Sequence, residues 1–162
     1  MDKKGKTGEI PEAFRSSIDN LTKSYFDMQR GLSGDNLEQA MKAAKEFKLK
    51  LDKVDMKLLT GSAHMDWMKQ YKKLDVNLKI ILEAGDIEAA RAPFSPFSDA
   101  IIEAAKSFGT PKSNITLFHC PMALDNIGAY WLQNNTDTKN PYFGASMLIC
   151  KDLMEPLFKN SK

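Results

Sequence analysis

The chain holds only two cysteines and two histidines among its 162 residues, and every one of them lies within three residues of a methionine. One stretch reads His119-Cys120-Pro121-Met122, a second Met147-x-x-Cys150, and a third His64-Met65-x-Trp67-Met68. Thiolate and thioether sulfur select soft cations such as Cu(I) or Ag(I), and imidazole is a compatible third ligand. Cys120, Met122, Met147 and Cys150 are therefore the first candidate metal ligands, with His119 and His64 next. The spacing matches no zinc pattern of the CxxC…CxxC kind. On an extended strand Cys120 and Met122 share a face while His119 points away. On a helix His64 and Met68, four apart, share a face.

The same residues have plainer uses. Cys120 and Cys150 make either one disulfide that fastens two ends of a tail, in an oxidising compartment, or two buried thiols. Met65 and Met68 at helical spacing read as core gap-fillers. His64 reads as a hydrogen-bonded core or capping histidine. A thiol enzyme is the weakest reading: His119 and Cys120 are adjacent, so in a strand they face opposite ways and form no base–nucleophile pair. No catalytic residue is assigned, and the chain is expected not to be an enzyme. Asn20, Asn114 and Asn134 each open an Asn-x-Thr triplet, a glycosylation pattern short enough to arise by chance.

The elements that must position these groups follow from the apolar spacing. With 43% hydrophobic and 27% charged residues the chain reads as a globular domain, which excludes wholesale disorder and fibrous repeats. A net charge of +2 gives no electrostatic footprint for nucleic acid. No apolar run approaches the roughly 20 residues of a membrane span. The basic start has no apolar stretch behind it, so either the protein is cytosolic or a targeting segment was trimmed from a mature domain. Residues 1–11 are expected to form a disordered tail, 12–109 a four-helix bundle, and 110–162 a small β/loop subdomain holding the Cys, Met and His cluster. Together they make one compact domain.

The first helical stripe is Ile18, Leu21, Tyr25, Met28 and Leu32, ending at Gly31 and Gly34. The second opens with Asp35 as N-cap and Glu38 in the manner of a capping box, and runs Leu37, Ala40, Ala44, Phe47, Leu51, Val54 and Leu58. The third starts at Ser62 and carries His64, Trp67, Tyr71, Leu74, Leu78 and Ile81. The fourth runs from Asp86 through Ile87, Ala90, Phe94, Phe97, Ile101, Ala104 and Phe108. Pro93 and Pro96 predict a kink or short break there, with Ser95 and Pro96 as N-cap and N1 of a restarted helix. A shift of 50 residues superimposes the second stripe on the fourth, so two similar helical hairpins stack into an antiparallel bundle. Ile115–Cys120 and Ala129–Gln133 read as a strand and its return, and the final residues as a short turn or strand. The fold class is mainly α, with a small C-terminal β/irregular subdomain packed on the bundle.

The stretch CPMALDNIGAYWLQNNTDTKNPYFGASMLICK resembles the signature of a bacterial domain of unknown function. The matching pieces are Cys120-Pro121-Met122-Ala123, Gly128-Ala129 with Trp131-Leu132-Gln133, Asn140-Pro141-Tyr142-Phe143-Gly144, and Met147 with Cys150. AHMDWM at 63–68 and Arg91 with Phe97-Ser98 extend the likeness into the helical half, so that it covers about residues 15–152. That domain occurs chiefly at the C-terminus of periplasmic adaptor (membrane-fusion) subunits of copper/silver-type heavy-metal efflux pumps, and as small stand-alone secreted proteins. One departure is Lys151, where the family commonly has glycine. The resemblance implies a periplasmic or extracytoplasmic protein, a soft metal ion as ligand, and an efflux-pump or envelope protein as partner. The competing expectation is a structural module whose tail is pinned by a Cys120–Cys150 disulfide and whose bundle docks on such a partner.

Overall fold

In a computed structural model, which describes residues 10–109 and 114–158, the four apolar stripes form four long helices. These are α1 (Glu12–Ser33), α2 (Leu37–Asp52), α3 (Gly61–Leu82) and α4 (Ile87–Phe108). The expected tail at 1–11 falls mostly outside the described residues. α1 pairs with α2 and α3 with α4 as hairpins, and contacts of α2 with α3 and α1 with α4 close the bundle. Rings fill the centre. Phe14 meets Trp67 at 5.3 Å and Phe108 at 5.1 Å, while Tyr25 stacks on Phe94 at 5.1 Å.

Several boundaries differ from the sequence expectation, each for a local reason. The N-cap of α2 is Asn36, whose side chain accepts from the Gln39 amide at 3.0 Å. Asp35 has left-handed backbone (φ 56°) and sends its carboxylate elsewhere. α2 ends at Asp52, so Val54 and Leu58 leave the stripe, and Leu58 closes a short 3-10 turn, Met56–Leu58. The buried line of α3 is Ala63, Trp67, Gln70, Leu74, Leu78 and Ile81; His64 and Tyr71 sit half-buried beside it. Met65 is 72% exposed and fills no core gap.

α4 starts as expected, with Asp86 accepting from the Ala89 amide at 2.8 Å. It then runs unbroken through Pro93 and Pro96, so Ser95 is interior and caps nothing. An interior proline costs about 3 kcal/mol, but Phe94, Phe97 and Ile101 on the same turns are wholly buried. Their packing outweighs the lost hydrogen bonds. The 50-residue correspondence survives in space: Asn36 and Asp86 cap α2 and α4, and the equivalent rings of Phe47 and Phe97 meet edge to face at 4.8 Å.

The C-terminal segment forms a three-stranded antiparallel sheet of order β2-β1-β3, with β1 at Thr116–Cys120, β2 at Ala129–Gln133 and β3 at Leu153–Pro156. Opposite Phe118 stand Trp131 and Met154; opposite His119 stand Tyr130 and Leu153. Period-two alternation gives the sheet two unlike faces. Phe118, Cys120, Trp131 and Gln133 are buried on one, and the rings of Phe118 and Trp131 stack at 5.0 Å. Leu117, His119, Tyr130, Leu153 and Glu155 belong to the other.

One side chain ties this segment to the bundle. Arg91 of α4 is 3% exposed and donates from Nε to the Pro141 carbonyl at 2.8 Å and from Nη2 to the Leu32 carbonyl at 2.6 Å. Nη2 also meets Asp35 Oδ1 at 2.8 Å, and Nη1 meets Glu88 Oε2 at 2.9 Å. The other oxygen of Asp35 accepts from the Ala145 amide at 3.0 Å. The Arg91 guanidinium beside it holds the Asp35 carboxyl below the usual carboxylate range. Gly144 passes over this clasp with φ 62°, and a Cβ there would lie 2.1 Å from Asp35 Oδ1. Arg91→Ala leaves the Pro141 carbonyl without its donor, whereas the Leu32 carbonyl keeps the Asp35 amide at 3.2 Å. An unmet buried group costs roughly 1–3 kcal/mol, so the expected loss is about 1–3 kcal/mol, with a comparable loss for Gly144→Ala. Urea denaturation checks it: wild-type midpoints in both variants would mean that the clasp contributes nothing.

Candidate functional site

The ladder of β1 stops at Cys120 because Pro121 has no amide to continue it. The chain then turns through three successive left-handed residues, Leu124 (φ 54°), Asp125 (φ 57°) and Asn126 (φ 67°), before Gly128 (φ 91°) leads into β2. Left-handed backbone costs an L-residue about 1–2 kcal/mol, so this turn is held by its surroundings. The Gly128 amide closes it on the Ala123 carbonyl at 2.9 Å.

The second limb of the site is the loop from Asn140 to Cys150. Asn140 is fully buried and every polar group it has is used. Its amide donates to the Leu148 carbonyl at 2.8 Å, and its carbonyl accepts from the Gly144 amide at 3.0 Å. Its side chain accepts from the Tyr142 amide at 2.8 Å and donates to the Cys150 carbonyl at 3.0 Å. The loop is thereby folded back on itself, and the Cys150 amide reaches the Met147 carbonyl at 3.2 Å.

These two limbs bring Cys120 Sγ within 2.8 Å of Cys150 Sγ across 30 residues of sequence. Cys120 is buried and Cys150 partly exposed, and both are free thiols. Burial pushes the Cys150 thiol up to about 11; the hydrogen bond and charge of Cys120 add to this, and the Met122 amide pulls the other way. Met122 itself is 47% exposed, and Met147 is half-buried on the loop that carries Cys150. Cys120, Cys150 and the backbones of Met122 and Met147 thus belong to one neighbourhood.

The two histidines do not join it. His119 lies on the opposite sheet face, with Nδ1 2.7 Å from Asp152 Oδ1 and its ring 4.5 Å from that of Tyr130. A Cβ at Gly128 would stand 3.0 Å from His119 Nε2. His64 lies in the first turn of α3, which packs on α2 and α4, whereas the thiol pair is built from the C-terminal segment. Among the described residues no group of three or more His, Cys, Asp and Glu is gathered as for a metal ion.

Sequence reasoning passed over Asp152 and the structural work of Asn140. No spacing rule links Asp152 to His119, whereas Asn140 before Pro141 carries a turn signal. The rest of the signature also holds the tail in place. Trp131 Nε1 donates to Gln133 Oε1 at 2.9 Å, and Gln133 Nε2 to the Asp137 carbonyl at 2.9 Å. The Tyr142 hydroxyl donates to the Tyr130 carbonyl at 2.6 Å. The Tyr25 hydroxyl lies 2.7 Å from Ser98 Oγ and accepts from the Leu132 amide at 3.1 Å.

The raised Cys150 thiol has a pH consequence. Its folded value exceeds the unfolded one near 8.5, so the unfolded chain releases this proton first. The stability it contributes is present below about pH 8.5 and is lost as pH rises toward about 11. Because thiolate is the nucleophile, alkylation of Cys150 in reduced protein should be slow at neutral pH and keep accelerating to about pH 11, read by mass spectrometry. A rate that levels off near pH 8.5 would mean an unperturbed thiol.

A family model described as a protein of unknown function (DUF3347) matches residues 21–113, from within α1 through the end of α4. The thiol pair and the sheet lie beyond the matched residues. No curated protein and no solved structure matches the chain. The match spans more than half of the sequence, and the chain belongs to this family of proteins of unknown function.

Proposed function

We propose that this protein is an extracytoplasmic soft-metal module that takes up Cu(I) or Ag(I) as cargo in heavy-metal efflux or copper homeostasis. The observation that carries the reading is the meeting of Cys120 and Cys150 at 2.8 Å from two separate limbs. Each cysteine has a methionine two or three residues away, and a thioether, absent from the usual Zn(II) ligand set, is a donor suited to soft Cu(I) or Ag(I). Cys120 and Cys150 are the primary ligands, with Met122 and Met147 as thioether donors. His119, engaged with Asp152, and His64 take no part. The tail's resemblance to modules of copper/silver efflux adaptors supports both the location and an efflux or envelope protein as the receiving partner.

A metal ion needs more room than the pair now leaves. Metal–thiolate bonds run about 2.3 Å, so two sulfurs sharing an ion stand well over 3 Å apart. Loading therefore requires the thiols to separate, and Cys150, partly exposed at the end of its loop, is the one free to move. Metal must also displace the thiol protons, so affinity rises with pH.

The same short distance favours a second reading. From 2.8 Å the sulfurs need approach only to about 2.05 Å to form a disulfide, which would pin a purely structural docking module. Mass measurement with and without reduction before alkylation separates the two: free thiols in protein from an oxidising compartment favour cargo binding, a quantitative disulfide the pinned module. Anaerobic titration of reduced protein with Cu(I) against a competing chelator then tests the site. Cys120→Ser or Cys150→Ser should weaken binding more than about 100-fold, beyond the 10–100-fold typical of outer-shell changes. His64→Ala should leave it unchanged. Met122→Leu and Met147→Leu keep volume and fold and should weaken it less. A folded double Cys→Ser variant that binds as tightly as the parent refutes the site.

A further inference from the structure

Two neighbouring surfaces carry unmatched charge of opposite sign. Between α4 and the outer face of the sheet lies an open cleft of ≈ 570 Å³. Ile102, Leu117 and the ring of Tyr130 give it apolar walls, and its lining sets Asp99, Glu103 and Glu155 against Lys106, with Lys73 of α3 acting on Asp99 from beside it. The carboxylates of Glu103 and Glu155 make no hydrogen bond or ion pair among the described residues. Partial desolvation at the cleft wall raises the carboxyl of Asp99, an exposed residue, and Glu103 adds to that, while Lys73 opposes it. In a chain of net charge +2, this cleft is short of positive charge.

The outward face of α3 has the reverse character. Lys69, Lys72 and Lys73 are exposed there around Val76, which is 56% exposed, with Met65 and Ile80 exposed at either end. Lys69 and Lys72 have no ion pair among the described residues, whereas Lys79 is taken by Asp75 at 3.3 Å. The two surfaces also lie at one level of the bundle. Lys73 acts on Asp99, and the ring of Trp67 lies 6.3 Å from that of Phe108. At 1.5 Å per residue in antiparallel helices, residues 69–76 of α3 run beside residues 99–106 of α4.

We propose that the protein forms a two-fold dimer in which the Lys69–Lys72–Val76 face of α3 in each copy seats in the α4–sheet cleft of the other. Adjacent patches of opposite sign that meet at Lys73 and Asp99 are self-complementary about a two-fold axis along that boundary. Every contact is then made twice and the assembly closes. An anionic membrane would engage α3 and leave the cleft empty; a small organic cation would do the opposite. A second copy satisfies both surfaces, including the exposed Met65 and Val76. None of the thiol-pair residues takes part, so the dimer stands or falls apart from the metal reading.

Sedimentation of the full chain tests it. At low salt the expected mass is twice the 18.2 kDa of the chain, falling to the chain mass in molar salt, where charges are screened beyond about 3 Å. The Lys69→Glu/Lys72→Glu and Asp99→Lys/Glu103→Lys variants change exposed positions, and circular dichroism verifies their fold. Each alone should sediment at the chain mass, and mixing them in equal amounts should restore the doubled mass. Three results overturn the proposal: a wild-type chain that stays monomeric at low salt, whether or not it then co-sediments with phosphatidylglycerol vesicles; a dimer indifferent to salt and to both variants; or a mixture that fails to associate.

Discussion

A guanidinium removed from water must find acceptors for all its donors, and at Arg91 that requirement organises half the molecule. Besides Glu88 in its own helix, its acceptors come from the end of α1 at Leu32, the α1–α2 connection at Asp35, and the C-terminal loop at Pro141. Leu32 and Asp35 adjoin one connection, but Arg91 stands 56 residues from Asp35 and 50 from Pro141. The bundle cannot bury Arg91 without the loop, and the loop has no reason to lie where it does without Arg91. A buried charge that is well paired selects one arrangement more than it adds net stability. Here the arrangement selected is the placement of the Asn140–Cys150 loop, and with it the thiol pair.

The hydroxyls of Tyr25, Ser98 and Tyr142 repeat this logic without charge. They connect α1, α4 and the loop, and reach β2 through the Leu132 amide and the Tyr130 carbonyl. Burial pushes both tyrosines above the ordinary phenol value, so they stay protonated and keep their donors. Many residues of the tail signature are thereby accounted for as positioning groups. Few are left to do chemistry. Those are the sulfur-bearing residues, and that is where the functional reading rests.

The legible part of this structure was the part governed by periodicity. Ile18, Leu21, Tyr25, Met28 and Leu32 are all buried as their spacing requires, and the two strands of the hairpin lie within a residue of where β-prone composition put them. One-residue errors came where two neighbours compete for a role, as Asp35 with Asn36 for the cap and His64 with Ala63 for the buried line. In the first case the decision lay 56 residues away, at Arg91, beyond the reach of any local rule. The short break and restarted helix expected at Ser95 and Pro96 do not form, because the wholly buried rings of Phe94 and Phe97 hold those turns of α4 against the core. The approach of Cys120 to Cys150 was conceivable as a disulfide, but its geometry depends on Asn140 and on the left-handed turn. Neither has a periodic signature.

That turn also limits what the hairpin can do by itself. Leu124 bears most of its cost, about 1–2 kcal/mol, because Asp125 and Asn126 are residue types that tolerate left-handed backbone. An isolated two-stranded hairpin is marginal even without such a burden. Here β1 gains a second partner in β3, and β2 packs on α4. The meeting of the two thiols therefore depends on sheet and bundle together.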